Sequence, residues 1–217
     1  MNRKGLSLKL PRISGLYAIL PELTNTDELI NKTQQALIGG AKVIQYRNKS
    51  TNRQLQKHQA GLLLLLCKQH GIPLIINDYL DLALEIDADG LHVGRNDFAI
   101  ADARKFLGND KILGASCYND LNLATHAESQ GVDYVAFGSF FPSKTKSNTV
   151  PVSVDFIRNA RQQINIPIVG IGGIQCHHVS TLIDSGCDAI AVCNDLFATD
   201  QTKVKAAEFT QIFTTRI

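Results

Sequence analysis

The sequence lacks the features of proteins that are stabilised by disulfides or structural zinc sites, and of proteins that span a membrane. Its five cysteines are odd in number and form no CxxC pair, which argues against a disulfide framework and a structural zinc site. The only apolar block, Leu62–Leu66, is too short to span a bilayer. The basic stretch Met1–Leu10 has no continuous apolar core, so it does not resemble a signal peptide. We therefore expect a soluble, cytoplasmic protein with no membrane partner.

A strong charge of either sign is also missing. The 217 residues carry a formal net charge of +2, and no block of lysine and arginine forms a basic stripe. We therefore expect no nucleic-acid partner, and any phosphate recognition must be local. No Ser/His/Asp or Cys/His arrangement of a nucleophile and its base can be argued from the sequence.

Eight strand-like apolar runs alternate with eight helical patterns. The predicted strands are Leu16–Leu20, Val43–Arg47, Leu74–Asn77, Leu91–Val93, Ile112–Ser116, Tyr134–Phe137, Pro167–Ile171 and Ala189–Val192. The predicted helices run from a cap at Thr24–Thr26 to Gly39, then over Thr51–His70, Leu80–Ile86, Ile100–Leu107, Leu121–Gln130, Val154–Ile164, His178–Ser185 and Val204–Phe213.

Near-continuous Val/Ile/Leu strands are typical of a parallel sheet covered by helices. Eight such units predict a single-domain (β/α)₈ TIM barrel over residues 15–217, after a loosely ordered lead at residues 1–14. A doubly wound open sheet is the alternative. No GxGxxG motif follows the first strand, and the eightfold count favours closure of the barrel.

Polar residues collect at the carboxyl ends of the predicted strands. They are Gln45, Arg47 and Lys49 at the second, Asn77 and Asp78 at the third, Asp97 at the fourth, Ser116 at the fifth, Gly172 and Gly173 at the seventh, and Asn194 at the eighth. Barrel enzymes place their chemistry at the carboxyl ends of the strands, so these positions predict an active site.

Two stretches indicate phosphate binding. The loop Gly138–Lys146 after the sixth strand carries hydroxyls and lysines, although a solvated loop would have the same composition. The pair Gly172–Gly173, with the turn after Val192, is typical of a barrel phosphate site, where backbone N–H groups approach an anion closely.

Asp78 and Asp97 would face each other from neighbouring strand ends. Two carboxylates that leave room for water and phosphate oxygens suit Mg²⁺, although each could instead cap the helix that follows it. Together with Arg47, Lys49 and Lys146 they indicate a Mg²⁺–diphosphate site. Among the histidines, we interpret His92 as structural and assign no role to His177 or His178.

In this order and on these strands, the motifs resemble those of the thiamine-phosphate synthase family, over nearly the whole chain from Gly15. The matching stretches are QYRNK at Gln45–Lys49, IND at Ile76–Asp78, ADGLHVG at Ala88–Gly94, LGAS at Leu113–Ser116, FPSKTK at Phe141–Lys146 and VGIGGI at Val169–Ile174.

The resemblance implies a transferase of thiamine diphosphate biosynthesis that requires Mg²⁺, one ion per subunit. It would couple 4-amino-2-methyl-5-(diphosphooxymethyl)pyrimidine with thiazole phosphate to give thiamine phosphate and diphosphate. The mechanism would be dissociative: the C–O bond breaks first, and the thiazole nitrogen captures the pyrimidine-stabilised carbocation.

The resemblance also implies roles for individual residues. The metal ligands would be Asp78 and Asp97. The pyrimidine diphosphate would contact Gln45, Tyr46, Arg47, Asn48, Lys49, Asn77, Ser116 and Lys146, of which Arg47, Lys49, Ser116 and Lys146 would be catalytic. The thiazole phosphate would contact Ser143, Lys144, Thr145, Gly173, Cys193 and Asn194.

Some positions depart from the commonest family pattern. They are Tyr79, Arg95, Tyr118, Ser143 and Asn194, and none removes a predicted metal ligand or diphosphate cation. Three other functions stay open: a thiazole tautomerase of the same fold, a non-catalytic barrel that binds a phosphorylated precursor, and a sugar-phosphate isomerase or epimerase. The expected partners are small phosphorylated molecules, and a homo-oligomer also stays open.

Overall fold

A computed structural model describes residues 13–95, 99–141 and 151–215. Eight parallel strands close into a barrel in chain order, and β8 pairs with β1. The strands are Gly15–Ile19 (β1), Val43–Tyr46 (β2), Leu74–Asn77 (β3), Gly90–Val93 (β4), Ile112–Tyr118 (β5), Tyr134–Phe137 (β6), Ile168–Ile171 (β7) and Ala189–Val192 (β8). The predicted (β/α)₈ barrel is confirmed, and the open sheet is excluded.

Helices cover the outside of the barrel. They are Thr26–Ile38 (α1), Arg53–His70 (α2), Leu80–Glu85 (α3), Ile100–Leu107 (α4), Leu121–Ser129 (α5), Val154–Gln163 (α6), Cys176–Ser185 (α7), Asn194–Phe197 (α8) and Thr202–Thr214 (α9). Within the described ranges this is one helix more than predicted, because the single-turn α8 begins directly after β8. None of these helices is long and apolar enough to cross a membrane.

Several helices begin where a polar side chain replaces the missing backbone acceptor. Asn25, Asn52, Asp120 and Ser153 each accept a hydrogen bond from the backbone N–H three residues later. Such capping satisfies amides that have no partner within the helix. The helix starts were therefore readable from the sequence to within about two residues.

The core has two layers because successive strand side chains point to opposite faces. An outer layer packs the strands against the helices, and an inner layer fills the barrel. The inner layer consists of Ile13, Tyr17, Ile19, Val43, Ile75, Ile112, Tyr134, Ala136, Val169, Ala189 and Ala191. Ile13 belongs to the predicted N-terminal lead but is buried; residues 1–12 lie outside the described ranges, so the predicted boundary of the lead stays a prediction.

Three aspartates join neighbouring strands by hydrogen bonds at the amino-terminal end of the barrel. Asp89, Asp133 and Asp188 directly precede β4, β6 and β8. Their carboxylates accept backbone N–H groups at the start of the preceding strand, from Leu74 at 2.9 Å, Leu113 at 2.7 Å and Ile168 at 2.9 Å. Arg104 of α4 and Arg161 of α6 pair with Asp133 and Asp188. We call these contacts the aspartate latches, and they lie at the opposite end of the barrel from the predicted site.

Candidate active site

Three predicted residues face the barrel interior at its carboxyl end, the mouth. On β2, Val43 belongs to the inner layer and Ile44 to the outer one, so Gln45 shares the inward side of Val43. The same alternation turns Asn77 and Ser116 inward from β3 and β5. The structure therefore brings these polar groups together above the hydrophobic inner layer.

A chain of five hydrogen-bonded side chains crosses the barrel below the mouth. Gln45 Nε2 donates to the Tyr17 hydroxyl at 2.8 Å, and the Tyr17 and Tyr134 hydroxyl oxygens are 2.8 Å apart. His92 Nδ1 lies 2.9 Å from the Tyr134 oxygen, and His92 Nε2 lies 2.8 Å from Ser116 Oγ. We call this series the inner chain. It joins strands β2, β1, β6, β4 and β5 in that order.

The two tyrosines of the inner chain are fully enclosed. Tyr17 is 1% exposed and Tyr134 0%. Burial raises the pKa of both phenols well above the ordinary value, so both stay protonated donors at neutral pH. Sequence reasoning missed both residues and assigned His92 a structural role. Their inward-facing positions on β1, β6 and β4 were the available signal.

Asp78 sits at the centre of a tight turn at the end of β3. Its φ is 64°, and the Tyr79 N–H donates to the Asn77 carbonyl across it at 2.8 Å. Left-handed backbone of this kind costs a non-glycine residue free energy and is found more often at functional sites. The turn aims the carboxylate at Lys49, with which it forms an ion pair. The residue at the cap position of α3 is Tyr79, which makes no side-chain capping bond.

Arg47 follows β2 and is half-buried. Burial raises the pKa of the Cys193 thiol, and the nearby Arg47 charge partly offsets the rise. Arg47 therefore lies close enough to the end of β8 for its charge to act there. Within the part of the chain that the structure describes, its guanidinium makes no hydrogen bond or ion pair. Arg47 thus adds a second cation to Lys49 at the mouth.

Tyr46 and Asn48 lie on the other side of β2. The Tyr46 hydroxyl donates to Gln59 Oε1 of α2 at 2.8 Å, and Asn48 Nδ2 donates to the same oxygen at 3.2 Å. Both are buried among outer-layer groups, so the structure does not bring them together with Gln45 and Ser116. Their predicted contact with substrate stays a prediction that this geometry does not favour.

Gly173, Cys193 and Asn194 lie beyond the ends of β7 and β8. Ile171 pairs with Ala191, so Gly173 and Cys193, two residues further along, reach the same level of the mouth. Gly173 has a φ of 66°, a conformation that glycine adopts without strain. Asn194 is exposed and begins α8. The three predicted thiazole-phosphate ligands that are described are thus adjacent.

Some predicted residues lie outside the described ranges. They are Asp97, Ser143, Lys144, Thr145 and Lys146. The described base of the loop after β6 ends at Phe141, whose ring stacks on His178 with centroids 3.6 Å apart. That contact gives His178 a packing role that the sequence did not indicate.

Two of the departures from the family pattern contact each other. The Arg95 guanidinium lies 5.0 Å from the centroid of the Tyr118 ring, and Arg95 also lies 3.6 Å from an Asp120 carboxylate oxygen. Tyr118 follows an irregularity in the pairing of β5 and has a φ of 57°. The two replacements therefore act as one cation–π pair at the rim of the mouth.

The donor set at Asp78 is compatible with Mg²⁺. This cation takes carboxylate oxygens and usually binds one or two of them together with substrate phosphate oxygens. Among residues 13–95, 99–141 and 151–215, no three His, Cys, Asp or Glu side chains are grouped to hold a metal ion. Asp78 therefore offers one ligand of the kind that Mg²⁺ takes.

Comparison with known proteins gives consistent matches. The family model described as thiamine monophosphate synthase matches residues 16–196. A thiamine-phosphate synthase of Nitrosospira multiformis is 50% identical over 201 residues, covering 93% of this chain and 86% of its own. One from Nitrosomonas eutropha is 48% identical over 202 residues, covering 93% and 95%. A solved thiamine phosphate pyrophosphorylase from Pyrococcus furiosus superposes with a TM-score of 0.81 at 29% identity, covering 97% of this chain and 98% of that one.

Proposed function

Because the chain belongs to the thiamine monophosphate synthase family, we propose that it couples 4-amino-2-methyl-5-(diphosphooxymethyl)pyrimidine with thiazole phosphate. The products are thiamine phosphate and diphosphate. The predicted enzyme class, a transferase of thiamine biosynthesis, agrees with the names of the relatives and is confirmed at that level.

The observation that carries the proposal is the charge arrangement at the mouth. Lys49 and Asp78 meet from the ends of neighbouring strands, and Arg47, directly after β2, adds a second positive charge at the mouth. A departing diphosphate needs cations and a Mg²⁺ site more than it needs a general base. This arrangement has both cations and a carboxylate, and a tautomerase or epimerase would have no use for it.

We assign Mg²⁺ to Asp78 and Asp97. When bound, the ion neutralises negative charge on the diphosphate oxygens. Arg47 binds two of these oxygens as a planar fork, while Lys49 and Lys146 act as point charges. Ser116 donates a hydrogen bond from the inner side of the mouth. These groups stabilise the diphosphate as the methylene C–O bond breaks and its electron pair stays with the leaving oxygen.

The second substrate completes the reaction. The thiazole nitrogen gives its lone pair to the pyrimidine-stabilised carbocation, forming the new C–N bond. We assign the thiazole phosphate to the ends of β6, β7 and β8, at Ser143, Lys144, Thr145, Gly173, Cys193 and Asn194. Binding both substrates at one mouth removes much of the entropic cost of a bimolecular step.

A coupled assay tests the proposal. Purified protein is mixed with both substrates and Mg²⁺, and released diphosphate and thiamine phosphate are measured together. We expect equimolar products, with none when either substrate is omitted or when EDTA replaces Mg²⁺. A protein that binds the substrates without releasing diphosphate would be the non-catalytic barrel, and the proposal would fail.

Two lysine variants sharpen the assay. Lys49→Ala removes a cation of the mouth and should lower kcat by about a hundredfold or more. Lys57→Ala is the matched control, because Lys57 is an exposed lysine paired with Glu85 on the outer helices. It should retain wild-type turnover. Equal losses in the two variants would mean that the charge at the mouth has no special role.

A further inference from the structure

The inner chain has a defined direction of hydrogen-bond donation. It begins at Gln45, whose Nε2 can only donate, so the Tyr17 hydroxyl oxygen must accept. The Tyr17 hydroxyl still has its own proton to place. Among the described residues, its remaining hydrogen-bond partner is the Tyr134 hydroxyl. Because an unsatisfied donor in a buried site is costly, Tyr17 donates to Tyr134.

The same reasoning decides which ring nitrogen of His92 carries the proton. Tyr134 is 0% exposed and has now accepted a hydrogen bond from Tyr17. Its own proton goes to its other partner, His92 Nδ1 at 2.9 Å. A ring nitrogen that accepts a hydrogen bond carries no proton, so the proton of the neutral imidazole is on Nε2. His92 Nε2–H then donates to Ser116 Oγ at 2.8 Å.

Ser116, the last member of the inner chain, can therefore still donate a hydrogen bond. The Ser116 oxygen accepts from His92, and no other described group bonds to its hydroxyl. Ser116 is half-buried at the mouth, where its proton can be offered to a ligand. If the chain ran the other way, the serine would donate to His92 and present only an acceptor to the mouth. The direction therefore decides whether Ser116 favours or opposes an anion.

Gly114 leaves the space that the inner chain needs. A Cβ at Gly114 would lie 2.0 Å from Cζ of the Tyr134 ring and 2.4 Å from its hydroxyl oxygen. The His92 ring stacks beside the same tyrosine, with centroids 5.6 Å apart. The absence of a side chain at Gly114 thus lets the Tyr134 ring lie where it reaches both neighbours.

We propose that the inner chain holds His92 as the neutral Nε2–H tautomer and thereby fixes Ser116 as a hydrogen-bond donor to an anionic oxygen of the substrate. Tyr17, Tyr134 and His92 are positioning residues that act through Ser116. The identity of that oxygen, one on the diphosphate of the pyrimidine substrate, rests on the proposed function. The tautomer does not.

The tautomer can be measured on the free protein. Long-range ¹H–¹⁵N NMR spectra separate the two neutral forms of histidine, and the signals of His92 are assigned by their loss in His92→Gln. We expect a protonated Nε2 and an unprotonated Nδ1 at neutral pH. A protonated Nδ1, in the neutral or the charged ring, would overturn the proposal. Because this measurement uses the wild-type protein, it does not depend on any variant folding.

The effect on turnover is tested with a double-mutant cycle. Ser116→Ala should lower kcat by about 10- to 100-fold, the range for a lost hydrogen bond to a charged group. Tyr134→Phe frees Ser116 to donate to His92 and should lower kcat by about tenfold. If Tyr134 acts through Ser116, the double variant loses no more than Ser116→Ala alone. Losses that multiply would overturn the positioning role.

Two controls keep the outcomes separate. Tyr79→Phe removes a tyrosine hydroxyl outside the inner chain and should leave both the His92 spectrum and kcat unchanged. Wild-type protein that released no diphosphate would contradict the proposed function, whereas the His92 spectrum would still decide the direction of the chain. A wrong tautomer in an active enzyme would contradict only the inference about the inner chain.

Discussion

The turn at Asp78 predicts that substitutions which abolish activity alike will differ in their effect on stability. Asp78 holds a φ of 64° at the end of β3 while its carboxylate pairs with Lys49. Three variants separate these two properties. Asp78→Gly removes the side chain and its backbone strain, Asp78→Ala removes the carboxylate but keeps a Cβ, and Asp78→Asn keeps the shape without the charge.

The magnitudes follow from the local geometry. The ion pair is partly exposed, 45% for Lys49 and 12% for Asp78, so its loss should cost at most about 1 kcal/mol. Alanine in the left-handed region costs about 1–2 kcal/mol, and glycine avoids this but loses about 0.5–1 kcal/mol through the entropy of the unfolded chain. Asp78→Gly should therefore be more stable than Asp78→Ala by roughly 0.5–1 kcal/mol, or about 1–4 °C in Tm for a chain of this size. Asparagine tolerates left-handed backbone and should stay within about 1 kcal/mol of wild type.

The activity of all three variants should fall together. Each lacks the carboxylate assigned to Mg²⁺, so kcat should drop by at least about a hundredfold at the Mg²⁺ concentration that saturates wild type. Thermal unfolding and the diphosphate-release assay measure the two effects separately. Asp78→Ala as stable as Asp78→Gly would refute the strain argument. Asp78→Asn with wild-type Mg²⁺ dependence would refute the role in metal binding.

Two further predictions concern the barrel interior and the amino-terminal end of the barrel. Gly114→Ala should destabilise the protein by about 1–3 kcal/mol in urea unfolding, because the new Cβ would overlap the buried Tyr134 ring. Gly61→Ala is its control: nothing lies within 4 Å of that Cβ on α2, so it should stabilise by about 0.5–1 kcal/mol, and the reasoning is wrong if both changes have the same sign. Asp133→Asn, in an aspartate latch, should cost about 1–2 kcal/mol with kcat unchanged. Asp155→Asn is the control, because Asp155 forms an exposed ion pair within one helix; its stability should stay within about 0.5 kcal/mol of wild type. Equal losses of stability in the two variants would show that the latch does not stabilise the barrel.

The sequence predicted the architecture well because the eight strands have a strong local signature. Runs such as Leu74–Asn77 and Ala189–Val192 are apolar on both faces, as strands between helices and a filled barrel must be. Chain order then specified which strand ends meet. That reasoning placed Gln45 and Ser116 at one mouth, and the structure brings them together.

The sequence could not tell which face of a strand lies towards the barrel interior when both faces are buried. Gln45 and Tyr46 are neighbours in one motif, yet one faces the interior and the other packs on α2. The inner chain was missed for a related reason: Tyr17 and Tyr134 are 117 residues apart, and only the closed barrel brings their hydroxyls into contact. The turn at Asp78 could not be predicted either, because the same residues are equally compatible with a helix cap.

The aspartate latches divide the closure of this barrel into short-range steps. Their hydrogen bonds join residues only 15 to 20 positions apart, each within one strand–helix–strand unit. Contacts of such low sequence separation cost little loop entropy to form, so each unit can set its own strand register before the ring closes. The β1–β2 unit has Lys42 where the other units have aspartate. Its backbone bond from Lys42 to the Leu16 carbonyl also occurs in latched units, from Asp133 to Leu113 and from Asp188 to Ile168, so this unit keeps the backbone bond without the carboxylate contact. We therefore expect β3 to β8 to assemble as three self-registered units, with β1–β2 completing the ring.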